Sequence, residues 1–221
     1  KDSGCKHLDI PFSVGAGVFP NLEIGAGFGG QFEERTEADE QSGEECTHTV
    51  DGIGDMIVNA KWQFLGESTW LPRQAIVPAV KFPTADKDKE LGSGKMDYDL
   101  TWIASKSIGE NMGVHVNIGY SWISQPSDEE VGDVIHYGAA LDYRIVAPLQ
   151  WVGEVYAEKE RLSGTDTALM FNTGARYSLL DNLTFDVAAG SCLSGDAPDF
   201  TATAGLTWTF GFAKVEQKEH N

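Results

Sequence analysis

The sequence predicts an all-β fold, an antiparallel transmembrane β-barrel of about 12 strands. Three observations carry that expectation. Apolar and polar residues alternate with a period of two along most of the chain. The alternating segments run roughly 11–14 residues, longer than the strands of soluble sheets and matched to a tilted crossing of a bilayer. Short links interleave with longer polar ones, as in barrels whose long loops lie outside the cell.

The first strands are expected near 8–19 and 21–33. In the third, near 52–65, Asp55, Asn59, Lys61 and Gln63 share one parity while Met56, Val58, Ala60, Trp62 and Phe64 share the other, which describes a strand with one wet face. Strands near 73–83 and 95–107 lead to 112–124, where Val114, Val116, Ile118, Tyr120 and Trp122 oppose His115, Asn117, Gly119 and Ser121. Across 133–146, Ile135, Tyr137, Ala139, Leu141, Tyr143 and Ile145 oppose His136, Asp142 and Arg144. Strands near 149–160, 165–179 and 182–194 follow. The last, 199–212, sets Phe200, Ala202, Ala204, Leu206, Trp208, Phe210 and Phe212 against Thr and Gly. This makes about eleven strands, and no helical period competes with them.

Short links fall at Pro20-Asn21, 66–72, Gly109-Glu110-Asn111, Ala147-Pro148 and Asp181, and long polar ones at 34–51, 84–94, 125–132 and 194–199. With the long loops outside, the aromatic residues sort into two belts: Phe82, Tyr98, Tyr120, Trp122, Tyr137 and Phe200 near the outer rim, and Trp62, Phe64, Tyr143, Trp151, Tyr177, Phe185, Phe210 and Phe212 near the inner one. A soluble lipocalin-like barrel or sandwich would alternate equally well with its faces reversed, so strand length, loop asymmetry and belts decide for the membrane. Bacterial single-chain barrels have even strand numbers, so a count of eleven implies a missing N-terminal strand.

Composition narrows the classes. The chain of 221 residues reads as one domain, with the barrel over about 8–212 and a polar tail from Ala213 to Asn221. No apolar run approaches the roughly 20 residues of a membrane-spanning helix, and no basic start followed by an apolar stretch marks an export signal. A formal charge of −18, with acids clustered between Glu33 and Glu45, repels phosphate backbones and argues against nucleic acid as a partner. Three cysteines without a CxxC spacing are too few for a disulfide scaffold.

Several short motifs carry a family likeness. Gly52-Ile53-Gly54-Asp55 opens a strand, Leu71-Pro72 and Pro78-Ala79-Val80-Lys81-Phe82-Pro83-Thr84 follow, and Gly92-Ser93-Gly94 precedes Asp97. In order and spacing over residues 10–212 the chain resembles the outer-membrane transporters named for a phenol-degradation pathway. The resemblance implies a barrel in the bacterial outer membrane and the passage of small organic molecules, including aromatic ones. The chain departs from the family pattern at Ala85, where Gly usually follows Pro-Thr, and in the tail after Phe212, the position of the family's terminal aromatic.

The polar parity collects the candidate pore-lining groups: Asp55, Asn59, Lys61, Lys81, Asp97, Asp99, His115, Asn117, His136, Asp142, Arg144, Glu154, Glu158, Arg176 and Asp186. In a narrow lumen such groups either cross-link into a plug or line a water-filled path, because charges held away from water and from each other are costly. Acids outnumber bases among them, so an open path favours cations or neutral solutes. Asp97, Asp99 and His136 also resemble the acid and His set of outer-membrane proteases, but Val134 stands where those enzymes carry the Asp that orients the imidazole. No His-x-Ser pattern supports a barrel phospholipase.

Cys5-Lys6-His7 and Cys46-Thr47-His48 repeat a Cys-x-His spacing on the outer side, which fits either four zinc ligands or, more simply outside the cytoplasm, a Cys5–Cys46 disulfide. Cys192 reads as a space-filling thiol, and the acids of 33–45 lack the ligand spacing of a calcium loop. The sequence therefore predicts a cofactor-free, non-enzymatic channel or transporter in contact with membrane lipid and lipopolysaccharide. The competing class is a closed structural barrel whose acidic outer loops bind a partner.

Overall fold

A computed structural model describes residues 5–38, 45–89, 91–125, 131–161, 166–195 and 197–211, with the side chains of residues 5, 6, 35–38 and 45–48 outside that description. The described chain forms one sheet of 12 strands and a single 3-10 turn at Lys87–Lys89. The strands are β1 Cys5–Phe19, β2 Leu22–Ala38, β3 Glu45–Ile53, β4 Met56–Leu65, β5 Arg73–Phe82, β6 Asp97–Ile108, β7 Met112–Trp122, β8 Val134–Val146, β9 Leu149–Glu160, β10 Ala168–Leu180, β11 Leu183–Ser194 and β12 Thr201–Trp208. The hydrogen-bonded order follows the sequence from β1 to β12 except that β3 stands off the path and pairs with β2. Consecutive antiparallel strands need only tight turns, as at Pro20-Asn21 and at Gly109, whose φ of 63° suits a residue without a Cβ.

The eleven strands of the main path correspond to the eleven expected from alternation, and β3 is the twelfth. The region 34–51, expected as a polar loop, is instead largely strand. The ladder of β2 and β3 runs from Gly30↔Ile53 to Ala38↔Glu45, so residues 34–38 and 45–51 continue the sheet as paired strands. The single strand expected over 52–65 is correspondingly two. Between Gly27↔Ile57 and Gly30↔Ile53 the partner of β2 changes from β4 to β3, and at the junction the Gly54 amide donates to the Gly29 carbonyl at 2.8 Å. Asp55 thereby leaves the ladder. The last strand is also shorter than expected, ending at Trp208 instead of residue 212.

The sheet is inverted relative to a soluble protein. Among the described residues only Ala75, Leu91, Ala104 and Ala157 form a buried apolar set, and no large side chain is fully buried. In β8 the apolar parity is open, with Tyr137, Leu141 and Tyr143 at 44%, 44% and 45% exposure, while His136, Gly138, Ala140 and Asp142 are half-buried. β11 repeats this, with Phe185, Val187 and Ala189 exposed and Thr184, Asp186 and Ala188 half-buried. A water-facing sheet would hide its Tyr, Leu and Phe and expose its Asp and His. An apolar outer parity of this extent calls for an apolar solvent.

Several residues of the expected belts lie on that exposed parity at strand ends. Tyr98, Trp122 and Tyr137 stand at the ends of β6, β7 and β8 that adjoin long connections, and Trp62, Phe64, Tyr143 and Tyr177 at the opposite ends of their strands. The rings of Trp62 and Phe64 meet at 6.1 Å and those of Tyr120 and Trp122 at 4.9 Å.

Candidate functional site: the polar face of the sheet

The chain packs as two compact units. One comprises residues 1–105, 117–137 and 158–166, the other residues 106–116, 138–157 and 167–221.

In the first unit the polar parity is organised around three carboxylates. Lys81 of β5 lies between two of them, 2.5 Å from Asp97 and 3.4 Å from Asp55, and donates to the Ser93 hydroxyl at 3.2 Å. Lys81 opposes Asp97 in the β5–β6 register, so strand pairing itself brings the charges together. The remaining carboxylate valences are filled by backbone amides, Ala85 donating to Asp55 at 2.9 Å and Ser124 to Asp97 at 2.9 Å. Asp97, 8% exposed, is the buried charged residue of this face. Its burial is tolerable because each oxygen has a partner.

Asp99, one turn of the pleat further along β6, accepts from the Ser121 hydroxyl at 2.8 Å and the Thr101 hydroxyl at 2.7 Å, and meets His136 Nε2 at 2.7 Å. Asp99 thus orients the imidazole across strands, a role that Val134 cannot fill. A Cβ on Gly119 would collide with the His136 ring, so this glycine makes the room in which the pair forms. Asn59 of β4 lies against Gly25 and Lys61 opposes Glu23 in the register with β2. Asn117 and Glu158 are exposed.

Where β7 ends, β8 begins and β9 ends lies a cluster that parity did not reveal. Asp133 accepts from the Tyr120 hydroxyl at 2.7 Å and the Ile123 amide at 3.0 Å, and the Arg161 guanidinium donates to the Tyr120 oxygen at 2.9 Å. The Tyr120 hydrogen bond, followed by the Ile123 amide, holds the Asp133 carboxyl below its ordinary value, and the Tyr120 oxygen beside Arg161 raises the guanidinium. Tyr120 was expected simply as a belt ring; its hydroxyl makes it a link between β7 and the residues flanking β8 and β9.

The second unit contains a cavity of about 490 Å³ on the same parity. Five of the expected lining residues surround it: His115 of β7, Asp142 of β8, Glu154 of β9, Arg176 of β10 and Asp186 of β11. Its floor is made of small residues, among them Ala140, Gly174, Ala188 and Thr203. Asp142 accepts from Gln150 at 2.9 Å and meets His115 Nε2 at 2.7 Å, and Glu154 accepts from the Asn172 amide at 2.9 Å. Arg176 and Asp186 oppose each other in the β10–β11 register, yet neither side chain has a hydrogen bond or ion pair among the described residues. Arg144, at the end of β8, is exposed, and its amide donates to the Asn111 carbonyl.

Gln150, Asn172 and Thr203 share the polar parity but were not among the expected lining residues. Cys5 and Cys46 oppose Arg35 and Glu37 on either side of β2, and their side chains lie outside the described residues, as does Phe212. No group of three or more His, Cys, Asp or Glu able to hold a metal occurs among the described residues.

The family model described as "Putative MetA-pathway of phenol degradation" matches residues 9–210. The chain belongs to this family. Among solved structures it is similar to an outer membrane channel from Pseudomonas putida, with a TM-score of 0.66 and 16% identity over 90% of this chain and 80% of that one. It is also similar to the NanC porin, with a TM-score of 0.56 and 10% identity over 91% of this chain and 99% of that one. No curated protein sequence matches. By fold the family member is therefore a bacterial outer-membrane β-barrel, and the two solved structures it is similar to are an outer membrane channel and a porin.

Proposed function

We propose that this family member is a passive outer-membrane channel for small solutes, one barrel domain whose polar parity lines the path and favours cations or neutral molecules over anions. The observation that carries this reading is the inversion of the sheet: apolar residues face out along whole strands, and the opposite parity gathers charged residues around open volume. All fifteen residues expected to line the pore belong to the proposed lining. Within it the structure favours Glu154 and Asp186 as the groups that set selectivity, because the Asp97 carboxylate is held by Lys81 and that of Asp99 by His136 and two hydroxyls. Phenolic or other aromatic solutes remain a proposal from the family's description alone, and contact with lipopolysaccharide one from the fold.

The neutralised pairs favour a second reading. Asp55, Lys81 and Asp97, with Asp99 and His136, form the kind of cross-linked network that closes a lumen, and a closed barrel would act through its loops. Single-channel recording of the refolded protein in a planar bilayer with a salt gradient separates the two. An open channel gives steps with a cation-biased reversal potential, and the pair Glu154→Gln with Asp186→Asn moves that potential toward zero selectivity. A folded but silent barrel overturns the channel reading.

A further inference from the structure

We propose that the cavity of the second unit is a solute subsite for a small zwitterion, a molecule carrying an ammonium and a carboxylate a few bonds apart. The inference rests on the channel reading and adds the chemical class of ligand to it.

Three features of the cavity carry it. The first is an unspent pair of opposite charges. Arg176 and Asp186 face one another across the β10–β11 ladder, where directly opposed residues on one face stand within about 5.5 Å at their backbones. Neither makes an ion pair or hydrogen bond to a protein group among the described residues. Lys81 and Asp97, opposed in the same way across β5 and β6, close on each other at 2.5 Å, whereas Lys61 and Glu23, opposed across β4 and β2, form no ion pair among the described residues and, unlike Arg176 and Asp186, do not line the cavity. Two charges left apart beside open volume can each be completed by a ligand: a guanidinium by a carboxylate, for which its fork of donors is matched, and a carboxylate by an ammonium.

The second feature is the balance of the remaining groups. Asp142 is already occupied by His115 and Gln150, whereas among the described residues Glu154 accepts only from the Asn172 amide. The groups with capacity to spare are thus one guanidinium and two carboxylates, a set that an anion or an uncharged polyol answers only in part. The third is room. Ala140, Gly174, Ala188 and Thr203 keep the floor low, and a Cβ on Gly174 would clash with the Val187 carbonyl and stand 2.7 Å from the Ala188 Cβ. A cavity of about 490 Å³ admits a molecule of amino-acid size together with water.

The test uses four chain-length analogues added at millimolar concentration to single channels conducting potassium chloride: 4-aminobutyrate, butylammonium, butyrate and 1,4-butanediol. Occupancy of the subsite reads out as a solute-dependent fall in current. The zwitterion is expected to act at a concentration about tenfold below either singly charged analogue, since each completed charge pair contributes a charge-assisted bond. Arg176→Gln is expected to reduce 4-aminobutyrate to the potency of butylammonium, and Asp186→Asn to that of butyrate, with open-channel conductance in salt alone reporting that each variant still forms a pore. Equal effects of all four solutes on an open wild-type channel, or block by 4-aminobutyrate that survives Arg176→Gln, would overturn the zwitterion subsite while leaving the channel reading intact. A folded barrel that never conducts would remove both.

Discussion

His136 shows what a single side chain owes to its neighbours. Its parity was legible in the alternation of 133–146, and so was its grouping with Asp97 and Asp99, but which of the two carboxylates it meets was not, because cross-strand contacts depend on register and a slip of one residue exchanges the two faces. Asp99 reaches it from β6, and Gly119 supplies the space between. The same limit explains why Lys81 could be placed on the polar face without its position between Asp55 and Asp97 being foreseen. Glycine gives the sharpest expectation at this scale. Gly174 lies against backbone of β11, so Gly174→Ala must displace a strand and is expected to cost about 1–3 kcal/mol, whereas Gly66, with open space around its Cα, should accept Ala within about 0.5 kcal/mol. Urea unfolding of both variants in phospholipid vesicles checks this; equal costs would mean that the β10–β11 ladder relaxes freely.

At the level of strands, the main path was readable because each of its members has a wet and a dry parity, and β2–β3 was not because its paired segments carry charge on both. Glu is a poor strand former by propensity, yet Thr36, Thr47, Thr49 and Val50 lie in the same ladder, whose backbone hydrogen bonds are indifferent to side-chain charge. Long connections hide structure for a related reason: Tyr120 belongs to β7, whereas Asp133 and Arg161 lie just outside β8 and β9, far from it in sequence. Their cluster gives the ends of β7 and β8 a pH dependence. Asp133 is held below its ordinary value of 3.8, so the folded state favours its ionised form. The resulting stabilisation is fully present above that value and is lost as pH falls through the lower folded value. Asp133→Asn is therefore expected to lower the urea midpoint at pH 7 and to narrow the gap to the parent protein as the pH drops below 3.8. A gap that stays constant with pH would show that the carboxylate charge plays no part in fixing the strand ends.

For the molecule as a whole, alternation left the choice between a soluble and a membrane barrel open, and the structure closes it through exposure. The open residues are the Leu, Ile, Phe, Tyr and Trp of one parity along strand after strand, an arrangement that water would penalise and a bilayer rewards. Strand length and aromatic ends already pointed that way; for solute preference the sequence offered only the excess of acids over bases on the polar parity, because the finer choice depends on which inward charges remain unpaired. The two faces should answer the same substitution differently. Leu141 and Ala140 are neighbours near the middle of β8, one on the exposed apolar parity and the other on the floor of the cavity. Arginine at 141 must hold its charge in hydrocarbon, and Leu141→Arg is expected to destabilise the barrel by about 2–4 kcal/mol in vesicles of ordinary thickness. Ala140→Arg meets Asp142 and Glu154 on a wet face and is expected to cost clearly less, at the expense of cavity volume and hence of conductance. Unfolding free energies and single-channel currents of the two variants, taken together, separate a lipid-facing from a lumen-facing position. If Ala140→Arg proved the more destabilising of the two, the assignment of faces, and with it the lining of the path, would have to be reversed.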